Sequence, residues 1–335
     1  MLQVTSFFSS LAGHFTLRRR VIWSPNFNHW GRRARLLALT TWVYLAASVS
    51  IQAEDEVFLV TLKSDQVIDV SNISQRLGYD NQPHFSPDSK SLLFTSMFTE
   101  QSVDGKQTSQ TDSMRLDLAT GSLVNLSQST ASEYSPTVTP DKNHFSVIRV
   151  GDDGRQLLWQ YPLEQVSAAK ALNRKVSLLP EVYDVGYHVW LNQAELLLFI
   201  LGQPMTLERV DIKDGTRQIV DTNIGRTLRK LPNQPLFSYT KAIGENWQVN
   251  IYHPENQESI SSVTLPNNNM YYAWHNDGDV LSAKQAKIMK AEPKSTANWT
   301  LWHDFSAHCL GDITRLVMSN NSQYLAFVCN TADKG

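Results

Sequence analysis

Cysteine is scarce in this sequence, and the local patterns of common catalytic and metal sites are missing from it. Only Cys309 and Cys329 occur among the 335 residues, and neither lies in a context typical of a nucleophile. The histidines are scattered without the spacing of a metal site or a catalytic triad, so we interpret them as structural or surface residues. They include His84, His144, His188, His275, His303 and His308. No cofactor and no metal ligands are expected.

Basic residues are also scarce outside the N-terminus. Residues 1–53 contain six arginines, no lysine and no acid, which leaves 24 basic and 32 acidic residues, a net charge of −8, in the remainder. A body with this charge lacks the basic footprint that nucleic acids require. With 41% apolar residues the chain is typical of a globular protein, of a length for one large domain or two ordinary ones.

Residues 1–53 have the order of parts typical of an export signal. Basic residues precede the apolar run LLALTTWVYLAASVSI at about 36–51, and small residues lead to Ala53. This run is shorter than the ~18 to 20 residues that span a bilayer, which favours cleavage near Ala53 over a permanent anchor. The long basic part fits either a misassigned start or a twin-arginine signal at Arg32 and Arg33. Both predict a periplasmic protein without a stable membrane span.

One ten-residue stretch recurs along the rest of the chain. FSPDSKSLLF (85–94) aligns without a gap to MSNNSQYLAF (318–327), and four weaker copies lie between them. At the position of Asp88 the copies have Asp88, Asp141, Gln193, Asn233, Asp277 and Asn321. The copies are 40 to 53 residues apart, which is the repeat length of β-propeller blades.

Two turns in each repeat predict four strands. A Pro-Asp or Asn pair reverses the chain within each copy, and DLATG (117–121) and DIKDG (211–215) add a second turn. Six copies predict an all-β, six-bladed β-propeller with four-stranded blades over residues 54–335. Because the last copy ends two strands short and residues 56–62 and 64–73 supply two strands, we expect the chain ends to share one blade. Two β-sandwiches are the alternative, which the regular spacing disfavours.

The two cysteines lie near each other in the predicted last blade. If residues 313–318 and 323–328 form a hairpin, Cys329 lies opposite a position near Asp312, three residues from Cys309. A disulfide that closes this blade is one prediction, and two buried free thiols are the alternative.

The copy at 79–128, YDNQPHFSPDSKSLLFTS followed by LDLATGSLVNLS, resembles the TolB-like β-propeller repeat family. Residues 79–88 match the family pattern Tyr-Asp-x-x-Pro-x-Phe-Ser-Pro-Asp, whereas Ser89 stands where glycine is usual. The likeness extends over about 55–335. TolB itself carries an α/β domain before its propeller, for which the sequence after Ala53 has no room. Related propeller peptidases carry a hydrolase domain with a Gly-x-Ser-x-Gly elbow, which does not occur here.

The resemblance implies a propeller alone, with an envelope role. In such a role the propeller engages a peptidoglycan-associated lipoprotein or another envelope protein. Fold analogy supports this role only as a hypothesis.

The loops that lead into the inner strands share one face in propellers of this kind, and we expect a binding rim there. Acids and tyrosines on the rim would suit a basic peptide or a protein partner. The candidate residues are Tyr79, Asp80, Glu133, Tyr134, Asp184, Tyr187, Tyr272 and Asp312. The alternative is that the tyrosines pack between blades and the acids cap turns. Arg226 and Arg229 on the same rim weaken any acidic field.

A polar insertion at Thr99–Ser113 is predicted as a loop between the second and third strands of the first blade, on the rim face. A long loop over a binding mouth can be functional, and an ornamental loop is the alternative. The nine tryptophans are expected to pack between blades, with a carbohydrate platform as the alternative for any that are exposed.

The sequence favours an exported, non-catalytic binding or scaffold protein of the cell envelope with a protein or peptide partner. The alternative is a propeller enzyme of the lyase or hydrolase type, or a glycan-binding protein, that uses the channel mouth. Ionisable groups with strongly shifted pKa values converging in the channel would favour the enzyme, and a shallow rim with dispersed charges would favour the binder. A structural cation in the channel is left open.

Overall fold

The computed structural model describes residues 55–75, 78–101, 107–164, 175–294 and 296–331. The predicted export signal lies outside these ranges. Within them, no helix has the length and apolar character that crossing a bilayer requires. The described part of the chain has one helical element, a single 3-10 turn at Pro266–Asn268, and 24 strands.

The strands form six four-stranded antiparallel sheets, which confirms the predicted six-bladed β-propeller. The chain begins with β1 (Asp55–Lys63) and β2 (Gln66–Asn72). Blade 1 follows with β3 (Asp80–Phe85), β4 (Ser91–Gln101), β5 (Gln107–Asp117) and β6 (Leu123–Asn125). Blade 2 has β7 (Glu133–Val138), β8 (His144–Val150), β9 (Gln156–Pro162) and β10 (Val176–Ser177). Blade 3 has β11 (Val185–Trp190), β12 (Glu195–Ile200), β13 (Thr206–Asp211) and β14 (Arg217–Thr222).

The remaining blades complete the ring. Blade 4 has β15 (Ile224–Lys230), β16 (Phe237–Ile243), β17 (Asn246–His253) and β18 (Glu258–Thr264). Blade 5 has β19 (Tyr272–Trp274), β20 (Val280–Lys284), β21 (Lys287–Ala291) and β22 (Thr300–Asp304). Blade 6 combines β23 (Asp312–Met318) and β24 (Tyr324–Asn330) with β1 and β2, because β1 pairs with β24 from Asp55 opposite Asn330 to Thr61 opposite Tyr324. The prediction that the two chain ends share one blade is therefore confirmed.

The turns after three of the inner strands are held by the same short side-chain hydrogen bond. In blade 1 the Ser86 hydroxyl donates to the Asp88 carboxylate (2.6 Å), which also accepts from the backbone N–H of Lys90 (3.1 Å). Ser89, in the usual glycine position, adopts φ of 57°, a left-handed conformation that the turn requires. The same bond joins Thr139 to Asp141 (2.7 Å) and Ser319 to Asn321 (2.7 Å).

Apolar side chains fill all six blade interfaces. One cluster packs blade 6 against blade 5 through Phe58 and Phe327 on one side and Leu281 and Ile288 on the other. Five further clusters fill the other interfaces in the same way. Two of the tryptophans in these clusters also form hydrogen bonds between blades: the Trp190 indole donates to Ser146 of blade 2 (2.9 Å), and that of Trp274 donates to Ser238 of blade 4 (2.8 Å).

The insertion predicted as a loop is mostly strand, so that prediction was wrong for its flanks. β4 and β5 are 11 residues each and pair without interruption from Ser91 opposite Asp117 to Gln101 opposite Gln107. Since β3 begins at Asp80, which lies opposite Ser96, the hairpin continues about 15 Å beyond the start of the inner strand, at about 3.3 Å per residue.

A disulfide joins Cys309 to Cys329, with their Cα atoms 5.6 Å apart. Cys329 lies on β24 opposite Ile313, so the bond ties the loop that leads into β23 to the neighbouring strand. In the same loop Gly311 lies directly against the backbone of Asn330, and a Cβ there would overlap the Asn330 carbonyl.

We expect Gly311→Ala to lower the free energy of unfolding by about 2 kcal/mol, because relief of the overlap requires a backbone shift beside the disulfide. Chemical denaturation would measure this. Gly244→Ala is the matched control: φ at Gly244 is 59° but a Cβ there meets nothing within 4 Å, so it should cost only about 1 kcal/mol of left-handed strain. Equal losses for both variants would contradict the close-approach explanation.

Candidate functional site

The six inner strands, β3, β7, β11, β15, β19 and β23, surround a central channel. Each begins on the same face of the ring, which we call the upper face, and ends on the opposite, lower face. The loops into the inner strands and the turns between second and third strands lie on the upper face. β1 begins and β24 ends on this face, because Asp55, the first residue of β1, pairs with Asn330, the last residue of β24.

Irregular pairing in the inner strands directs particular side chains into the channel. In five of the six blades the register between the first and second strands shifts part-way along the inner strand. Such bulges re-aim the side chains within them. Residues within these shifts that line the channel are Gln82, Ser135, Arg226 and Arg315.

The upper half of the channel contains a cavity of about 140 Å³. Its lining includes three arginines, Arg226, Arg229 and Arg315, together with Tyr187 and Gln82. A second cavity of about 310 Å³ occupies the lower half, where Arg229 recurs in the lining with His84 and Lys230. Neither lining includes an aspartate or glutamate among the described residues. The channel is therefore cationic, although the propeller as a whole is acidic.

Arg315 crosses the channel. It lies on β23 of blade 6, and its Nη2 donates to the hydroxyl of Tyr187 (2.8 Å) on β11 of blade 3, the blade directly opposite. The same nitrogen donates to the hydroxyl of Tyr271 (3.3 Å), just before β19. The guanidinium also lies over both rings, 5.1 Å from the centroid of Tyr187 and 4.4 Å from that of Tyr271, a cation–π geometry. The upper cavity is thus bridged by one arginine held between two tyrosines.

The other two arginines make no stacking contact of this kind with a described tyrosine, and Arg229 donates to backbone carbonyls, with its Nε 3.5 Å from that of Tyr272. Arg229 donates through Nη2 to the backbone carbonyl of Leu316 (2.9 Å), and burial lowers its pKa to about 10. Arg226 is half-buried and makes no side-chain hydrogen bond or ion pair with any described residue. Burial would raise the pKa of Tyr187, but Arg315 and Arg226 together draw it below its usual value.

Two histidines beside the arginines are held neutral. Burial, reinforced by the charge of Arg229, lowers the pKa of His84 to about 4. Burial and the neighbouring His84 lower the pKa of His188 to about 3, and its Nε2 lies 2.7 Å from the Ser146 hydroxyl. The cationic character of the channel at neutral pH therefore comes from arginine and lysine.

Three of the residues proposed for the rim are buried. Asp80 is 1% exposed and accepts a short hydrogen bond from the Ser96 hydroxyl. Glu133 is fully buried and accepts from the hydroxyls of Ser129 and Tyr161 (2.9 Å). Tyr272 is fully buried and donates to Ser238 (2.6 Å). These side chains hold the starts of the inner strands together and do not offer a surface to a partner.

The other proposed rim residues lie at or near the upper surface. Tyr79, Tyr134 and Tyr187 are half-buried, as is Asp312, and Asp184 is exposed. Tyr79 and Tyr134 contact each other edge to face, with ring centroids 6.3 Å apart. Leu310 beside Asp312 is 89% exposed. The upper mouth thus has tyrosines around it and few exposed acids.

Sequence reasoning did not select Arg315 or Gln82 as site residues. In the repeat alignment Gln82, Tyr271 and Arg315 occupy the same position as Tyr187. This position lies three residues before the apolar residue that ends the inner strand. This repeat position could have identified the channel lining without a structure. Elsewhere, no group of three or more His, Cys, Asp or Glu side chains in the described part of the chain could hold a metal ion.

Comparison with known proteins identifies the fold. No protein-family model matches the sequence, and no curated protein matches it either. A protein assigned as TolB from Agrobacterium tumefaciens superimposes with a TM-score of 0.60 at 12% identity, covering 84% of this chain and 100% of that one. TolB from Acinetobacter baumannii gives a TM-score of 0.50 at 11% identity, covering 83% of this chain and 64% of that one. The chain therefore has a TolB-like β-propeller fold.

Proposed function

We propose that this chain is an exported, non-catalytic binding protein of the cell envelope that takes a protein or peptide partner at its upper face. The observation that carries the proposal is the mouth of the channel, where tyrosines and arginines converge on one concave site. Tyrosine and arginine are among the residue types that contribute most to protein interfaces. The exposed Leu310 and Asp184 and the long β4–β5 hairpin add contact surface around the mouth.

Export is supported by two independent features. The N-terminal sequence has the parts of an export signal, and the Cys309–Cys329 disulfide suits an oxidising compartment such as the periplasm. A peptidoglycan-associated lipoprotein, the partner that the TolB resemblance implies, is the first partner to test.

One observation favours a second candidate, a propeller lyase or hydrolase. Several ionisable groups with shifted pKa values meet in the channel, including His84, Arg229 and Tyr187. Clusters of this kind occur at catalytic sites. The binding function is preferred because burial and the positive charges of neighbouring arginines account for all three pKa shifts.

Capture of partners from envelope extract tests the proposal. A rim variant, Asp184→Arg with Leu310→Asp, changes two exposed residues of the upper face, and we expect it to recover at least about tenfold less of any partner than the wild type. Asp214→Arg is the control, because it repeats the Asp184→Arg part of the change at the turn between β13 and β14 on the lower face. Equal recovery by the rim variant would place docking elsewhere, and no enrichment by the wild type would overturn the binding function.

A further inference from the structure

We propose that the upper half of the channel is an oxyanion site, in which Arg315 and Arg226 bind a carboxylate or phosphate group. The inference deepens the proposed function and rests on it, because it names the chemistry that a partner or ligand presents to the mouth. The shared chemistry is a single oxyanion, carried either by a small free anion or by an acidic residue or C-terminus of a peptide.

The first step is the missing counter-ion. None of the ion pairs formed by described residues includes Arg226, Arg229, Lys230 or Arg315. By contrast, two partly buried cations outside the channel have an acidic partner, Arg209 with Glu195 and Lys241 with Asp221. Charges withdrawn from water without a partner are costly. An anion from outside the chain would supply the charge that the channel lining lacks.

The second step is that several guanidinium N–H groups of the arginines in the upper cavity have no hydrogen-bond partner among the described residues. Both hydrogen bonds of the Arg315 guanidinium leave through Nη2. Its Nε and Nη1 make no hydrogen bond to any residue that the structure describes, and Arg226, whose side chain has no hydrogen-bond partner among the described residues either, lines the same cavity. Guanidinium donors of this kind match the paired oxygens of a carboxylate or phosphate.

The third step is preorganisation. Stacking against Tyr187 and Tyr271 fixes the Arg315 guanidinium across the channel, so little side-chain freedom is lost when an anion binds. The cavity of about 140 Å³ accommodates an oxyanion and a few attached atoms, and not a folded domain. The ligand is therefore small, or it is the tip of a longer chain. Because the lining is cationic, a metal cation is disfavoured at this position.

Calorimetric titration of the mature full chain tests this inference. The probes are inorganic phosphate, citrate, a short peptide ending in Asp-Glu with a free C-terminus, and its amidated Asn-Gln counterpart. Salt is kept at about 20 mM because it screens charge pairs. We expect at least one of the three anionic probes to bind. If the acidic peptide binds, the neutral peptide should bind at least about tenfold more weakly. Binding by phosphate or citrate alone identifies a small-anion site, and binding by the acidic peptide alone identifies a peptide site.

Substitutions locate the site. Arg315→Gln and Arg226→Gln should each weaken binding about tenfold or more. Arg155→Gln removes the same charge from an exposed arginine of blade 2 that pairs with Asp153, and should change affinity less than about twofold. Arg226→Gln keeps the test valid if Arg315→Gln unfolds, because the Arg226 side chain makes no hydrogen bond with any residue in the described ranges.

The outcomes separate this inference from the proposed function. If no anionic probe binds at millimolar concentration, or if both channel variants bind as well as Arg155→Gln, the oxyanion site is overturned. Equal binding of the acidic and neutral peptides overturns it too. In each case partner capture at the upper face could still succeed, so the two failures are distinguishable.

Discussion

Phe327→Ala is expected to destabilise the propeller by about 4 kcal/mol, the cost typical of removing a fully buried phenylalanine. The Phe327 ring on β24 stacks on Phe58 of β1, with centroids 5.2 Å apart, and also contacts Phe305 at the end of blade 5, at 4.9 Å. These three rings join the first strand, the last strand and the neighbouring blade. The substitution therefore weakens the closure of the ring and one blade interface together.

Chemical denaturation of the purified variant would measure the loss. Leu301→Ala is the matched control, because Leu301 lies on the outer strand β22 and is 53% exposed, so it should cost less than about 1 kcal/mol. A loss below about 1 kcal/mol for Phe327→Ala would show that closure does not depend on this cluster.

Glu133→Gln is expected to change how stability depends on pH. Burial raises the pKa of Glu133 to about 7 in the folded protein, against the hydrogen bonds from Ser129 and Tyr161 that favour the charged form. Because the folded pKa lies above the ordinary value of 4.5, the folded state binds more protons between these values. The contribution of Glu133 to stability is full below pH 4.5 and is lost as the pH rises through about 7, a loss of about 3 kcal/mol.

The glutamine variant removes this titration. Relative to the wild type it should gain about 3 kcal/mol between pH 4 and pH 8, measured as the difference of two denaturation midpoints converted to free energy. The groups that face Glu133 are Asp112, Arg149 and Lys175, and they are unchanged in the variant. Glu181→Gln, at an exposed position, is the control.

Comparing variants at each pH also removes a background of opposite sign. His84 and His188 have folded pKa values of about 4 and about 3, below the ordinary histidine value of 6.5. Their contribution to stability is present above 6.5 and is lost as the pH falls. The wild type alone would therefore show a composite curve. A pH-independent difference between Glu133→Gln and wild type would contradict the buried carboxyl assignment.

The burial of Glu133 and Asp80 changes what the upper face offers to a partner. Both acids lie at the first position of an inner strand, where sequence reasoning expected rim charges. Their side chains are buried and accept hydrogen bonds from Ser129 and Ser96. The lining of the upper cavity keeps Arg315 and Arg226 with Tyr187, which supports our proposal of an anionic group on the partner, whereas the acidic rim expected from sequence favoured a basic peptide.

The sequence determined the number of blades, the place of their hairpins and the sharing of one blade by the two chain ends. These follow from local chemistry: the hydroxyl and carboxyl groups of Ser86 and Asp88 form their turn within a few residues, and alternating apolar residues select strands wherever they occur. The charge of the mouth was decided only by tertiary structure. Register shifts in the inner strands determine which side chains face the channel, and ring closure brings Arg315 to Tyr187, 128 residues away. Such contacts depend on where six blades meet, which no local pattern specifies.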